Sequence, residues 1–112
     1  MDSDPVPFAV QRHERGSAIV VEVSGEIDLS TADLVRTQAT APDKQRIVLD
    51  LRRVGFMDTS GIRLVVELMR AEDEGGAKLA IAADGDAVLR LLDMAGLKPK
   101  LRLAPTVDEA LE

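Results

Sequence analysis

The chain has 112 residues and a net charge of −6, with 46% hydrophobic and 30% charged residues, which is the length of one domain and the balance of an ordinary globular protein. The acidic balance, the lack of any basic cluster and the two aromatic residues, Phe8 and Phe56, argue against nucleic acid as a direct ligand. Cysteine is absent, which excludes disulfides, thiolate catalysis and Cys-based metal sites.

Residues 1–7, with Pro5 and Pro7, read as a loose tail, and 8–112 as a single domain. Met1–Pro7 has neither the basic nor the apolar region of a secretory signal. No apolar run approaches the roughly 20 residues of a membrane helix, so no membrane contact is expected and the expected location is the cytoplasm. Phe8–His13 predicts a short strand, Glu14-Arg15-Gly16 a turn, and the β-branched Ser17–Ser24 a second strand that Gly25 ends. The two should form an antiparallel hairpin. Ser30 or Thr31 caps a helix, with Asp33 in its first turn and an end before Pro42. Arg46–Leu51 reads as a buried strand and Arg52–Thr59 as a loop. From Ser60 the apolar residues Ile62, Val65, Val66 and Met69 keep helical spacing, opposite Arg63, Glu67, Arg70 and Glu74. Gly75-Gly76 stops that helix. Lys78–Ala82 is a strand, and Asp84–Ala95 a helix with Val88, Leu91, Leu92 and Ala95 inward. Leu101–Leu103 is a last strand, and Thr106-Val107-Asp108-Glu109 opens a final helix in capping-box form.

The order β-β-α-β-α-β-α-β-α implies an α/β fold: a mixed four- to five-stranded sheet with helices mainly on one face.

Catalytic signatures are missing. The single histidine, His13, sits at a strand end, and Asp58-Thr59-Ser60-Gly61 lacks the first glycine of a nucleophile elbow. No calcium-loop, zinc or phosphate-loop pattern occurs, so neither metal, cofactor nor enzymatic activity is expected. Phe56-Met57-Asp58-Thr59-Ser60-Gly61 is the stretch that stands apart, because small polar residues and a glycine meet where a strand passes into a helix. On spacing alone it reads as a helix cap. The carboxyl end of a strand in an α/β sheet is also where ligands bind.

Three segments resemble the bacterial anti-sigma factor antagonists of the STAS type. Ile47–Leu51 through Phe56-Met57-Asp58-Thr59-Ser60-Gly61-Ile62 is similar to a hydrophobic strand followed by F-M-D-S-S-G-L. Gly25-Glu26-Ile27-Asp28 with Thr31-Ala32 is similar to G-E-L-D…T-A, and Leu92-Asp93-Met94-Ala95-Gly96-Leu97 to F-D-M-S-G-L. The matches fall in order over about residues 8–111. The resemblance implies a regulator that binds an anti-sigma factor while unphosphorylated. That anti-sigma factor is also a serine kinase and phosphorylates the first hydroxyl residue after the Asp. Here that residue is Thr59, where Ser is more usual. A serine/threonine phosphatase is a further implied partner. Asp28 and Asp58 match acidic positions beside the acceptor. The partner surface should comprise Glu26, Asp28, Asp58, Ser60 and Gly61, with Arg63, Glu67 and Arg70 on the outward helix face bordering the turn. Ser60 is expected to cap the helix, and the helix N-terminus to accommodate the phosphate.

Two other readings remain open. One is a STAS module that is not phosphorylated and binds another regulator, a small anion or a nucleotide. The other is a receiver-like domain with Asp50 as phosphoacceptor. Against the receiver, Glu14-Arg15-Gly16 follows the first strand where an acidic pair is needed, and Lys98 precedes the last strand rather than following it.

Overall fold

The computed structural model describes residues 6–112. The first part of the expected 1–7 tail therefore lies outside the described residues. Val6 and Pro7 belong to no strand, and the Pro7 carbonyl accepts a hydrogen bond from Ser24 Oγ at 3.2 Å.

Five strands form one sheet in the order β1-β2-β3-β4-β5. They are β1 (Ala9–Arg15), β2 (Ala18–Ile27), β3 (Arg46–Met57), β4 (Lys78–Ala82) and β5 (Arg102–Ala104). β1 and β2 pair antiparallel as the expected hairpin, turning at Gly16, whose φ is +63°. Each later strand is parallel to its predecessor. Crossovers of one hand that always step the same way along a sheet deposit their helices on the same face. The crossover helices are α1 (Ala32–Gln38), α2 (Thr59–Asp73) and α3 (Asp86–Met94). Their apolar residues join one core with alternate strand residues: Ile19, Val21 and Val23 of β2, Ile47, Leu49 and Leu51 of β3, and Leu79 and Ile81 of β4. The other face carries a thin second core, in which α4 (Val107–Ala110) lays Val107 and Ala110 on Val20, Val48, Ala80 and Ala82. Burial on both faces explains why the middle strands read as unbroken apolar runs.

β1 runs on through Glu14 and Arg15, which were expected in the turn, and two later strand ends differ more from the sequence reading. β2 does not stop at Gly25, and the expected loop Arg52–Thr59 is strand as far as Met57. β4 pairs with β3 only up to Asp50↔Ala82, whereas β2 and β3 continue together through Ser24↔Arg53, Gly25↔Val54, Glu26↔Phe56 and Ile27↔Met57. The register slips twice, between Glu22 and Ser24 and between Gly25 and Glu26; Gly25 adopts φ +89° and brings the Phe8 backbone within 2.8 Å of where a Cβ would stand. Only glycine fits both conditions. The result is a two-stranded tongue that projects past the rest of the sheet.

At the end of α3, Ala95 is exposed rather than inward, because the helix ends at Met94 and Gly96 turns the chain with φ +75°. Thr106 caps α4 as expected, its hydroxyl accepting from the Glu109 N–H at 3.1 Å.

Among the described residues Asp50 is the one buried charged residue, 3% exposed. Arg52, two residues on and on the same face, donates to both its oxygens at 2.9 and 3.0 Å. That hydrogen-bonded pairing pushes the Arg52 guanidinium up from its ordinary value. The carboxylate is thereby closed off, which removes Asp50 as an accessible phosphoacceptor and with it the receiver reading.

Candidate functional site

The tongue ends in the turn Asp58–Gly61. Asp58 is the N-cap of α2, in extended conformation, and its carboxylate accepts the Ser60 N–H at 2.8 Å. The Asp58 N–H donates to the Ile27 carbonyl at 3.1 Å, which fastens the turn to the end of β2. Asp58, and not the expected Ser60, is thus the cap. Aspartate ranks with serine as a capping side chain, and Asp58 stands one position ahead of the helix, where the geometry needs it. Among the described residues the Ser60 hydroxyl makes no hydrogen bond, and Ser60 is half-buried.

Thr59 is the first residue of α2 and is exposed, and its hydroxyl likewise has no partner among the described residues. Gly61 is buried against the tongue: a Cβ there would stand 2.1 Å from Met57 Cγ. The glycine lets the first turn of α2 lie directly on β3.

Beside this turn runs the loop from β2 to α1. The Asp28 carboxylate accepts from the Ser30 hydroxyl at 2.7 Å, the Ser30 N–H at 2.9 Å and the Thr31 N–H at 3.2 Å. These bonds, the Ser30 hydroxyl first, hold Asp28 below the usual carboxylate range. Thr31 holds the N-cap position of α1, one of the two residues expected there, but its side chain makes no capping bond, and Asp28 closes the turn that leads into the helix. The Thr31 hydroxyl instead donates to the Glu26 carbonyl and accepts from the Asp28 N–H, both at 2.9 Å. Glu26 is exposed and pairs in register with Phe56, next to Ile27↔Met57. Asp58 thus directly precedes Thr59, and the acidic Glu26–Asp28 stretch lies on the strand end that pairs with Phe56 and Met57 just before it.

The helix residues separate into three cases. Arg63 is exposed one turn beyond Thr59. Glu67 is engaged within the chain, because Arg36 of α1 forks onto it through Nε at 2.8 Å and Nη2 at 3.1 Å. The hydrogen bonds to Glu67 raise the Arg36 guanidinium, which also contacts Asp33. Arg70 is exposed but lies in the last turn of α2. It is eleven residues from Thr59, about 16 Å along the axis, so it does not border the turn as expected. Two apolar residues escaped the sequence reading. Leu29, in the β2–α1 loop, is 79% exposed and Phe56, on the tongue, is 51% exposed. Leu29 follows directly on Asp28, and Phe56 lies between Val54 and Met57, whose three-residue spacing does not give the period of a strand.

Among the described residues no group of His, Asp and Glu is placed to hold a metal ion, and no helix is long and apolar enough to cross a membrane.

The family model described as the STAS domain matches residues 9–110. An anti-sigma F factor antagonist of Paenibacillus polymyxa is 37% identical over 100 residues, covering 86% of this chain and 82% of the relative. Among solved structures, an anti-sigma factor antagonist from Mycobacterium paratuberculosis superposes with a TM-score of 0.85 at 28% identity, covering 97% of this chain and 95% of the other. The anti-sigma factor antagonist SpoIIAA in its unphosphorylated form gives 0.77 at 26% identity, over 92% and 93%. SpoIIAA of Bacillus in its phosphorylated form gives 0.69 at 25% identity, over 92% and 96%.

Proposed function

The chain belongs to the STAS domain family, with the anti-sigma factor antagonists, and on that premise we propose that it docks, unphosphorylated, on an anti-sigma factor of the serine-kinase type and is switched off by phosphorylation of Thr59. The observation that carries this reading is the placement of the Thr59 hydroxyl. It is exposed, free of hydrogen bonds among the described residues, and set directly after Asp58 at the tip of a projecting tongue. That the relative SpoIIAA has been solved in both a phosphorylated and an unphosphorylated form supports the same reading.

The physics of the switch is local. A phosphate brings about −1.5 to −2 charges at neutral pH. Next to Asp58 and Asp28 that charge repels, demands solvation and opposes a partner that has to cover the turn. Nothing in the fold depends on the Thr59 hydroxyl, so the modified chain keeps its structure. A serine/threonine phosphatase restores the docking state. The partner surface in this reading is Glu26, Asp28, Asp58, Ser60 and Arg63, with Gly61 buried beneath it and seating the turn. Leu29 and Phe56 offer apolar contact, and Glu67 and Arg70 lie further along α2. Regulation of a sigma factor places the chain in the cytoplasm, and it acts by binding rather than by catalysis.

The test is to incubate the purified chain with candidate anti-sigma factor kinases and ATP and to map the product by mass spectrometry. Modification at Thr59, lost in Thr59→Ala, is expected. A kinase that binds the chain but modifies another residue refutes the assignment of Thr59. One that binds and modifies nothing shows a constitutive binding module.

A further inference from the structure

We propose that Arg63 is the counter-ion built into this chain for a phosphate on Thr59. The proposal rests on the phosphorylation reading above and adds how the modified site is arranged.

The main chain at the start of α2 has little to offer a phosphate. The Ser60 N–H is taken by the Asp58 carboxylate at 2.8 Å. The Gly61 and Ile62 N–H groups donate to the Asp58 carbonyl at 3.0 and 3.3 Å. The usual accommodation of an anion by free N–H groups at a helix N-terminus is therefore largely used up by the cap. Counter-charge has to come from a side chain.

The charged groups on the packed elements narrow the choice. β2 and the loop after it supply Glu26 and Asp28, and Asp58 leads into the helix, all of the wrong sign. α1 supplies Asp33 and Arg36, and Arg36 is committed to Glu67 and Asp33. β3 supplies Arg52, held by Asp50, and Arg53, four residues and about 13 Å back along the strand from Met57. β4 supplies Lys78 at its far end. On α2 itself Arg63 stands four residues after Thr59, one turn away on the same side. An anion that precedes its cation at this spacing is the favoured order on a helix.

Arg63 is also uncommitted. Among the described residues it makes no ion pair and no side-chain hydrogen bond. The carboxylate four residues further on, Glu67, would be its natural partner, but both Glu67 oxygens are occupied by the Arg36 fork. Because that clamp holds Glu67, the guanidinium of Arg63 is left for a phosphate, which it can meet through two parallel charge-assisted bonds. Phosphorylation then changes the docking surface twice: it adds a dianion, and it withdraws a cation that the unmodified surface presents.

The experiment needs neither kinase nor partner. Phosphothreonine is installed at position 59 by codon suppression, and the second ionisation of the phosphate is followed by 31P NMR across pH. A neighbouring cation favours the dianion and lowers that pKa, so Arg63→Gln should raise it by about 0.3 unit or more, the equivalent of one exposed ion pair at this spacing. Arg63→Lys should raise it less, and Arg70→Gln should leave it unchanged. An unchanged titration in Arg63→Gln, or an equal shift in Arg70→Gln, overturns the proposal. Kinase labelling bears only on whether Thr59 is the natural acceptor, so the two readings fail independently.

Discussion

Gly61→Ala isolates the contact that seats the site on the sheet. The new Cβ would lie 2.1 Å from Met57 Cγ, 2.6 Å from Met57 Sδ and 3.4 Å from Ile27 Cγ2. Met57 has to retreat by about 1.3 Å to reach an ordinary contact, yet it is 3% exposed and Ile27 is fully buried. Forcing extra volume into a packed core costs about 1–3 kcal/mol, and the size of this clash argues for the upper end. Alanine regains about 1 kcal/mol of helix propensity. The net loss is about 2 kcal/mol, which for a domain of this length lowers Tm by about 8 °C. Thermal and urea melts of parent and variant measure it directly. Gly61→Ala with Met57→Ala should recover part of the Gly61→Ala loss relative to Met57→Ala alone, because the clash is then gone. A single Gly61→Ala variant that melts at or above the parent refutes the close seating of α2 on β3.

Three further outcomes follow from the same geometry. Asp58→Ala should lose about 1 kcal/mol of stability as a lost helix cap, while Ser60→Ala should stay within about 0.5 kcal/mol; urea melts showing the reverse order would return the cap to Ser60. Arg52→Met takes away the guanidinium and leaves the buried Asp50 carboxylate with only the backbone N–H of residue 52, at 3.1 Å, and should cost about 3 kcal/mol. A double variant with Asp50→Asn should recover more than half of that, and equal losses in both would mean that the pair is not coupled. Glu72 is held below its ordinary value of 4.5, first by the Arg102 hydrogen bonds and also by the Leu79 N–H. Its stabilisation is present above that value and fades as pH falls through the lower folded-state pKa. The Tm advantage of parent over Glu72→Gln should therefore shrink on acidification below about pH 4.5, and a gap that stays constant would show that the charge of Glu72 is immaterial.

The parts of the fold that were legible in the sequence are those where burial imposes a period. α2 shows its apolar stripe, and β2 and β3 show runs buried on both faces. The tongue was illegible because no third strand and no helix covers both of its sides. Gly25, Arg52, Arg53 and Gly55 therefore read as loop, although Val54 and Met57 point into the core. The cap of α2 differs for a related reason: a run of Ser, Thr and Asp offers several candidate caps, and only the backbone conformation selects Asp58. The engagement of Glu67 by Arg36, 31 residues away, depends on how α1 packs beside α2, and no local pattern reports it. The turn that carries Thr59 was found through the resemblance of its motif. Its spacing alone described a helix cap, which it also is.

The most direct test of the switch is binding of the parent, Thr59→Ala and Thr59→Asp to the same anti-sigma factor by titration calorimetry, with the melting temperature of each recorded alongside. The expected result is that all three fold with similar Tm, that Thr59→Ala binds like the parent, and that Thr59→Asp binds poorly because its carboxylate sits beside Asp58 and near Asp28. A folded Thr59→Asp chain that binds as tightly as the parent would contradict the account.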